Sequence, residues 1–539
     1  MEAISRIFES AGVAVRQIIF PKQRTFIKKH CNMRKNQMPI FSSHQRPVII
    51  GIGQSVNRSY DPVDIKNPLD MIEAAVRAAQ DDSCTKKLTE KVDTLYLVNI
   101  MSSHYSDPLS EISSRIGIAP RQKAYTWIGA TAPQWFVNQA AKNIFEGKTG
   151  IALICGGEAF HSAKIEAKLK RKIFQQWDLP PKKPWMAGEL RDPSSALEVK
   201  YGLTLPINVY PLFENAFRHH KNLSIENHAA ELGEFCAGLS AIAAENPFSW
   251  FRDKKTMEEI INVSSSNPMV SFPYTKFMCS IMQVDQGAAL FLTSERTASE
   301  LGVPAEKWVY LVGSGDAMDI WHVSERVNCF SSPSVKIAAA MALDQAGITI
   351  DKIDYLDLYS CFPCAPRMVR DMLGIHDNRR PLSVTGGMPY FGGPGNNYAL
   401  HAICKMVELL RREKDKIGLV QALSWFISKH SVGIYSGRWR QTPHNIPAPD
   451  VYRKDLDEIK GPQLLSDASG DAEIETYSIF HDREGRPVDA TIIGRLPNGH
   501  RFLAKAEPDK DAIDEMTKRE FIGKKGKVRL KGGLNFFRI

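Results

Sequence analysis

Two stretches far apart in the chain decide the fold: Lys91–Asn99 reads KVDTLYLVN and Lys352–Ser360 reads KIDYLDLYS. Both carry Lys-[Val/Ile]-Asp-x-Leu-x-Leu. Both follow an Ala-rich helical pattern, MIEAAVRAAQ at Met71–Gln80 and KIAAAMALDQAG at Lys336–Gly347. The order then continues in parallel. APQWFVNQAAKNIFEG leads to TGIALICGG (149–157) in the first half, and NNYALHAICKMVELL leads to KIGLVQALS (416–424) in the second. Each time a segment with apolar residues at 3–4 spacing precedes a nearly all-apolar run, a helix before a strand. Strands apolar at every position are buried on both faces, as in parallel sheets covered by helices. Two β-α-β units of one design predict a duplicated α/β fold with pseudo-twofold symmetry.

Around this repeat the chain divides into four expected parts: a basic leader at 1–45, a first half at 46–305, a second half at 306–441 and an added β domain at 442–539. The first strand is RPVIIGIGQS (46–55). Its Gly51-x-Gly53 lacks the third glycine of a dinucleotide loop, because Val56 stands there, so that reading is set aside. Between the halves, residues 160–278 form a polar, helical insertion with a cationic start (Lys164, Lys168, Lys170, Arg171). It is too long for a structureless loop and is expected to be a subdomain. Beyond Thr442, Glu475–Lys505 alternates apolar and polar residues around Arg483-Glu484-Gly485 and Asn498-Gly499, two turn signals. With KVRLKGGLNFF near the end, this predicts a small antiparallel barrel or sandwich. Its basic stripe (Lys524, Lys525, Lys527, Arg529, Lys531) is expected on the solvated face of an edge strand rather than in a nucleic-acid groove.

The 539 residues are 43% hydrophobic and 24% charged, the composition of a soluble globular protein of two or three domains. No stretch approaches the roughly 18 consecutive apolar residues of a membrane-spanning helix. The net charge of +9 is concentrated in residues 1–46, where nine Lys/Arg face Glu2 and Glu9. The remainder is close to neutral, which argues against a general polyanion-binding surface. The leader is expected to be a mitochondrial transit peptide or a basic arm, with a mitochondrial or else a cytoplasmic location. The final FFRI is not a Ser-Lys-Leu-type peroxisomal signal. Nine scattered cysteines without a secretory leader suggest free thiols in a reducing compartment.

Certain motifs sharpen the fold expectation. GGEAF (156–160) closes a buried strand, PYTKFMCSIMQVDQGAAL (273–290) re-enters the core, and YSCFP (359–363) ends the second repeat strand. A Gly-rich GGMPYFGGPGNNYALHA (386–402) opens a helix. Over about residues 46–440 these resemble the thiolase superfamily, in particular its sterol-carrier-protein-2-type branch. The β-rich tail resembles the extra C-terminal domain of thiolase-like proteins of type 1. The resemblance implies a five-layer α-β-α-β-α core of two β-α-β halves, a helical insertion and a small C-terminal antiparallel β-barrel. It also implies acyl-CoA chemistry at four loops and a possible homodimer.

Compared loop by loop, the family's nucleophilic Cys falls on Ala130 or Thr131 in WIGATAPQWFVNQAA. The His-Asp-Cys-Phe pattern becomes Tyr359-Ser360-Cys361-Phe362, so Cys361 and Phe362 match. The Gly-His-Pro loop becomes Gly392-Gly393-Pro394, without its His. The last loop, LSWFISKHSVG, has no Cys, but its His430 is placed to approach the pocket. The resemblance thus implies Cys361 and His430 as catalytic residues, and Thr131, Phe362, Gly393, Lys168 and Arg171 as substrate or CoA contacts. His401 lies within a helical pattern and is expected in the core or a subunit contact. Cys361-x-x-Cys364 alone would also suit a redox pair or half a metal site, but no second Cys-x-x-Cys accompanies it.

Three readings stand. The first is a thiolase-like acyl-CoA acyltransferase of acetyl-CoA acetyltransferase type in lipid metabolism, with a degenerate site. It would use CoA thioesters as substrates, with no separate cofactor, resident metal or nucleic-acid partner. The second is a non-catalytic CoA-thioester-binding or scaffold protein. The third is a redox or metal protein built on Cys361 and Cys364.

Overall fold

The computed structural model describes residues 45–85, 88–169, 186–377, 379–440, 456–507 and 510–539, so the expected leader lies outside the described residues. The first half runs β1 (Pro47–Val56), α1 (Pro68–Asp82), β2 (Thr94–Leu97), α2 (Pro108–Ile116), β3 (Gln122–Thr126), α3 (Ala132–Phe145) and β4 (Ile151–Ala159). The insertion follows with α4 (Phe160–Lys168), β5 (Met186–Ala187), α5 (Ala196–Lys200), α6 (Pro206–His220), α7 (Ile225–Glu245), α8 (Met257–Ile261), β6 (Met269–Phe272) and β7 (Tyr274–Thr275). Next, β8 (Asp285–Ser294) and α9 (Glu295–Glu300) complete this half. The second half runs β9 (Val309–Met318), α10 (Pro333–Ala346), β10 (Tyr355–Leu358), α11 (Cys364–Met372), α12 (Tyr398–Arg412), β11 (Ile417–Ser424) and β12 (Lys429–Ser436). The tail holds β13 (Leu464–Leu465), β14 (Gly470–His481), β15 (Pro487–Arg495), β16 (Arg501–Ala506), α13 (Lys510–Glu515), β17 (Lys525–Lys531) and β18 (Leu534–Arg538).

Ten strands form one sheet in the order β10-β11-β12-β9-β1-β8-β4-β2-β3-β5. The repeat is visible in its pairing. β4 runs parallel to β2 and antiparallel to β8, and β11 runs parallel to β10 and antiparallel to β12. The halves join where β1 and β9 pair antiparallel at Val48↔Tyr310 and Ile49↔Val309. Helices α3 and α12 touch each other and strands of both halves. They share a buried core that includes Phe136, Val137, Leu400 and Ile403. α1 and α10 pack on the other face of their own strands, giving the five layers expected.

Glycine pairs set how closely these outer helices approach. On β1, a side-chain carbon at Gly51 would stand 2.3 Å from the Ala79 carbonyl oxygen, and at Gly53 2.0 Å from that of Ala75. On β9, Gly313 and Gly315 stand in the same relation to Ala342 and Ala338, at 2.1 and 2.0 Å. The residue just before each first glycine, Ile50 or Val312, is where the strand register slips. The bulge turns the glycine pair towards the helix, whose backbone at alanine positions makes the closest contact. The Gly-x-Gly of the first strand is therefore a helix-packing device repeated in both halves.

The tail closes a five-stranded barrel through β14-β15-β16-β18-β17 and back to β14. Both predicted turns fall between its strands, with Gly485 and Gly499 in the left-handed conformation. The expected edge strand is corrected: β17 pairs with β14 on one side and β18 on the other, because closure uses both of its edges. Its lysines remain exposed. Nor does the insertion stand apart. β6 pairs with β14, Asn215 donates to the Tyr477 carbonyl at 3.0 Å, and Thr476 donates to that of Leu212 at 2.7 Å. Among the described residues no helix is long and apolar enough to cross a membrane.

Gly53→Ala and Gly315→Ala should each destabilise the protein by about 2 kcal/mol, since the methyl group must displace a helix backbone. Gly238→Ala, at an open helical position, should not. Chemical denaturation measures all three.

Candidate active site

The N-terminus of α3 opens into a cleft of about 660 Å³, lined among others by Trp127, Gly129, Thr131, Trp135, Asp316, Ser424, Lys429 and His430. Pro133 suits the first helical turn, where its missing N–H has no partner to lose. The loop ahead of the helix is held by polar contacts from the second half. Ser424 Oγ accepts from the Thr131 N–H at 2.7 Å and lies 2.8 Å from the Thr131 hydroxyl. Asn396 Oδ1 accepts from the Gly129 N–H at 2.9 Å, and its amide donates to the Asn99 carbonyl at 3.2 Å. The β11–β12 turn beside Ser424 places Trp425 and Ile427 at φ 56° and 59°. Such a conformation in a β-branched residue is strained and persists only where its surroundings impose it. Here Tyr210 donates to the Trp425 carbonyl at 2.7 Å, and Arg326 reaches Ser428 Oγ at 2.9 Å.

His430 lies on β12, fully buried, with both ring nitrogens engaged. The Tyr359 N–H donates to Gln421 Oε1 at 3.1 Å, so the Gln421 amide nitrogen must face His430 Nδ1, 2.9 Å away. Nδ1 therefore accepts and Nε2 carries the proton. Nε2–H donates to Ser332 Oγ at 3.0 Å, and Ser332 donates to Asp319 Oδ2 at 2.8 Å. Burial pushes the imidazole down to about 4, so it is neutral and a weak base. Asp316, on β9, is the contrasting group. Its Oδ1 accepts from Ser431 Oγ at 2.6 Å and Asn138 Nδ2 at 3.1 Å, and burial pushes the carboxyl up to about 6.

Cys361 is not among the residues lining the cleft. Its thiol is buried in a core shared with Tyr210 and Phe213 of the insertion. Burial pushes it up to about 12, only partly opposed by the neighbouring Tyr210 hydroxyl. Cys364 is equally buried, 3.3 Å from the Tyr274 hydroxyl, and its thiol is pushed well up by burial. Both are free cysteines. Thiols so raised carry almost no thiolate to attack an acyl group, a disulfide or a metal ion. Among the described residues no group of three or more His, Cys, Asp or Glu side chains is placed to hold a metal.

The structure thus brings Thr131 and His430 to one cleft, and sets Cys361, Phe362 and Gly393 on a second cluster. Phe362 stacks on Tyr210 with centroids 4.4 Å apart. The Gly393 N–H donates to Ile281 O at 2.7 Å, and the Cys361 carbonyl accepts from Ser280 N at 3.1 Å. Lys168 ends α4 on the surface, outside the cleft lining, and Arg171 lies outside the described residues. His401 is in the core, with Nδ1 2.8 Å from Gln54 Oε1. Sequence reasoning missed Asp316, Ser424 and Gln421. A signal existed: Gln421 and Ser424 are the polar positions of IGLVQALS (417–424), a strand buried along its length.

Comparison with known proteins places this geometry. Residues 452–533 match the family of the thiolase-like protein type 1 additional C-terminal domain. A crystal structure of a monomeric SCP2-thiolase-like protein type 1 from Mycobacterium smegmatis superposes with a TM-score of 0.79. It is 30% identical, over 92% of this chain and 99% of that one. Human mitochondrial 3-ketoacyl-CoA thiolase superposes with a TM-score of 0.53 at 16% identity, over 73% of this chain and 99% of that one, a likeness of fold. The benzoylsuccinyl-CoA thiolase subunit BbsB of Thauera aromatica is 22% identical over 187 residues. That alignment covers 32% of this chain and spans 46% of the relative, about half its length.

His430 makes a testable contribution to stability. Its folded value near 4 lies below its ordinary value of 6.5. The unfolded chain takes up the proton first, and stability is lost as pH falls from about 6.5 towards 4. Between pH 7.5 and 4.5 the wild type should lose roughly 2–3 kcal/mol more than His430→Asn, by denaturant titration at both values.

Proposed function

The chain belongs to the SCP2-thiolase-like proteins of type 1, and from that premise we propose that it binds a CoA thioester in the cleft at the N-terminus of α3 and acts on it by acid–base chemistry, without an acyl-cysteine. One observation carries this reading: among the described residues, those lining the cleft include no cysteine but do include Asp316, a carboxyl that burial pushes up to about 6. A carboxylate so tuned is a competent general base near neutral pH.

In the proposed step the Asp316 carboxylate takes a proton from the carbon next to the thioester carbonyl. The C–H bond breaks, an O–H bond forms on Asp316, and the electron pair moves onto the thioester oxygen as an enolate. The positive end of α3 and the Thr131 hydroxyl stabilise that charge. Ser431 and Asn138 hold the base in place. His430, neutral and tied at both nitrogens, is a positioning residue held by Gln421 and by Ser332, which in turn donates to Asp319. The enolate is the nucleophile of the carbon–carbon half of a thiolase-type acyl transfer, and we assign its substrates to acyl-CoAs of lipid metabolism.

A second reading, a binding protein without turnover, has its own support: the two candidate catalytic residues, Cys361, matched to the family's pattern, and His430, in its last loop, are both locked. Proton–deuterium exchange at the acyl group of acetyl-CoA, followed by NMR in heavy water, separates the two. The wild type should exchange with a rate that rises through about pH 6, as Asp316 loses its proton, and then levels off. Asp316→Asn should lower the rate by about 10²-fold or more while binding, by calorimetry, stays within threefold. Cys361→Ala should exchange at the wild-type rate. Unchanged exchange in Asp316→Asn overturns the mechanism. Binding without exchange in the wild type establishes the second reading, and absence of CoA-thioester binding overturns both.

A further inference from the structure

Away from the cleft, a second concavity of about 790 Å³ lies between α7, the end of α6, and α11 with the turn that follows it. Its floor is apolar, with Phe235, Leu239, Ile375 and Leu382, and its walls carry an excess of cations. Two of the acids there are already engaged: Glu231 takes Arg367 at 2.6 Å, and Asp371 takes Lys221. Arg370 is left with only a long contact, 3.4 Å, to the same Asp371. Arg380 is half-buried and donates to the Ile353 carbonyl, with Asp354 and Asp377 acting on it only through space. Arg379 stands exposed at the rim. Among the described lining residues, the five cations Lys221, Arg367, Arg370, Arg379 and Arg380 thus face the three acids Glu231, Glu234 and Asp371. Arg380 is partly desolvated with a carbonyl and no carboxylate in hydrogen-bond reach, an arrangement that an anion completes.

A glycine supplies an independent observation. Helix α7 contains Gly233 and Gly238. Gly233 has a packing reason, since a side-chain carbon there would meet Met257 at 2.6 Å. Gly238 has none: a side-chain carbon there would meet nothing within 4 Å, and the residue forms part of the concavity's wall. A mid-helix glycine weakens a helix. At this position the one thing it preserves is open space.

We propose that this concavity binds a small organophosphate, with its phosphate groups on Arg370, Arg379 and Arg380 and an apolar or planar body over Leu239 and Leu382 beside Gly238. A nucleoside diphosphate has this chemistry, whether free or as the nucleotide end of a coenzyme. The volume is within the range of small-molecule sites. This proposal does not depend on the reaction assigned to the α3 cleft.

Calorimetric titration of the full chain with ADP tests it. The wild type should bind ADP saturably, more weakly as salt is raised. Arg379→Glu should weaken binding at least fivefold and Gly238→Leu at least tenfold. Asp316→Asn should bind ADP as the wild type does, which separates this site from the cleft. Displacement of ADP by acetyl-CoA identifies the ligand as the coenzyme's own nucleotide, and its absence identifies a separate one. Either result requires the site. No saturable ADP binding, or equal affinity in wild type, Arg379→Glu and Gly238→Leu, overturns the proposal. Near-ultraviolet circular dichroism of both variants verifies that a loss of binding is not a loss of fold.

Discussion

Everything in the core depends on how closely two Ala-rich helices can approach two strands. At Gly53 and Gly315 the room between strand and helix backbone is too small for even one methyl group. That distance sets the depth of α1 against β1 and of α10 against β9, and the preceding bulge keeps each glycine pair turned to its helix. Because the two strands also pair with each other, the contact in one half is continuous with that in the other. The strands then present their opposite faces to α3 and α12. Close packing of this kind transmits displacement rather than absorbing it, so the placement of α3, and of the cleft at its end, is a consequence of these four glycines.

At the cleft, the loop ahead of α3 is clamped at the helix terminus by hydroxyl and amide groups of Ser424 and Asn396. The matched cysteine of the second loop is sealed under Tyr210, and burial alone removes its thiolate. His430 is neutral for the same reason, and its hydrogen bonds run to Ser332 and Asp319 instead of into the open. On the cleft wall, burial moves the Asp316 carboxyl up and the Lys429 ammonium down, both towards neutral pH. Burial thus raises a thiol, lowers an imidazole and brings a carboxyl towards neutral pH.

The fold was legible in the sequence to the extent that its signals were local and repeated. The doubled Lys-[Val/Ile]-Asp strands and the nearly all-apolar β4 and β11 fixed the halves, and the turn glycines at 485 and 499 fixed the barrel hairpins. Longer-range features were not legible. Gly51-x-Gly53 looked like a failed phosphate loop, since its helix partners are identified only by contact. The stripe on β17 looked like an edge, because barrel closure depends on strands β14 and β18 and not on β17 itself. At the site, residue types pointed to Thr131 and His430. The fate of Cys361 was decided by Tyr210, in an insertion without visible tie to it, and Asp316 lay unmarked at the polar end of a strand.

The account rests on the α3 terminus being the place where a thioester is held. A crystal structure with an acetyl-CoA analogue in which a methylene replaces the thioester sulfur tests this most directly. The account predicts the analogue's carbonyl at the N-terminus of α3, near the Thr131 hydroxyl, with its methyl group facing Asp316. A carbonyl seated against Cys361, with Tyr210 displaced from the thiol, would contradict it.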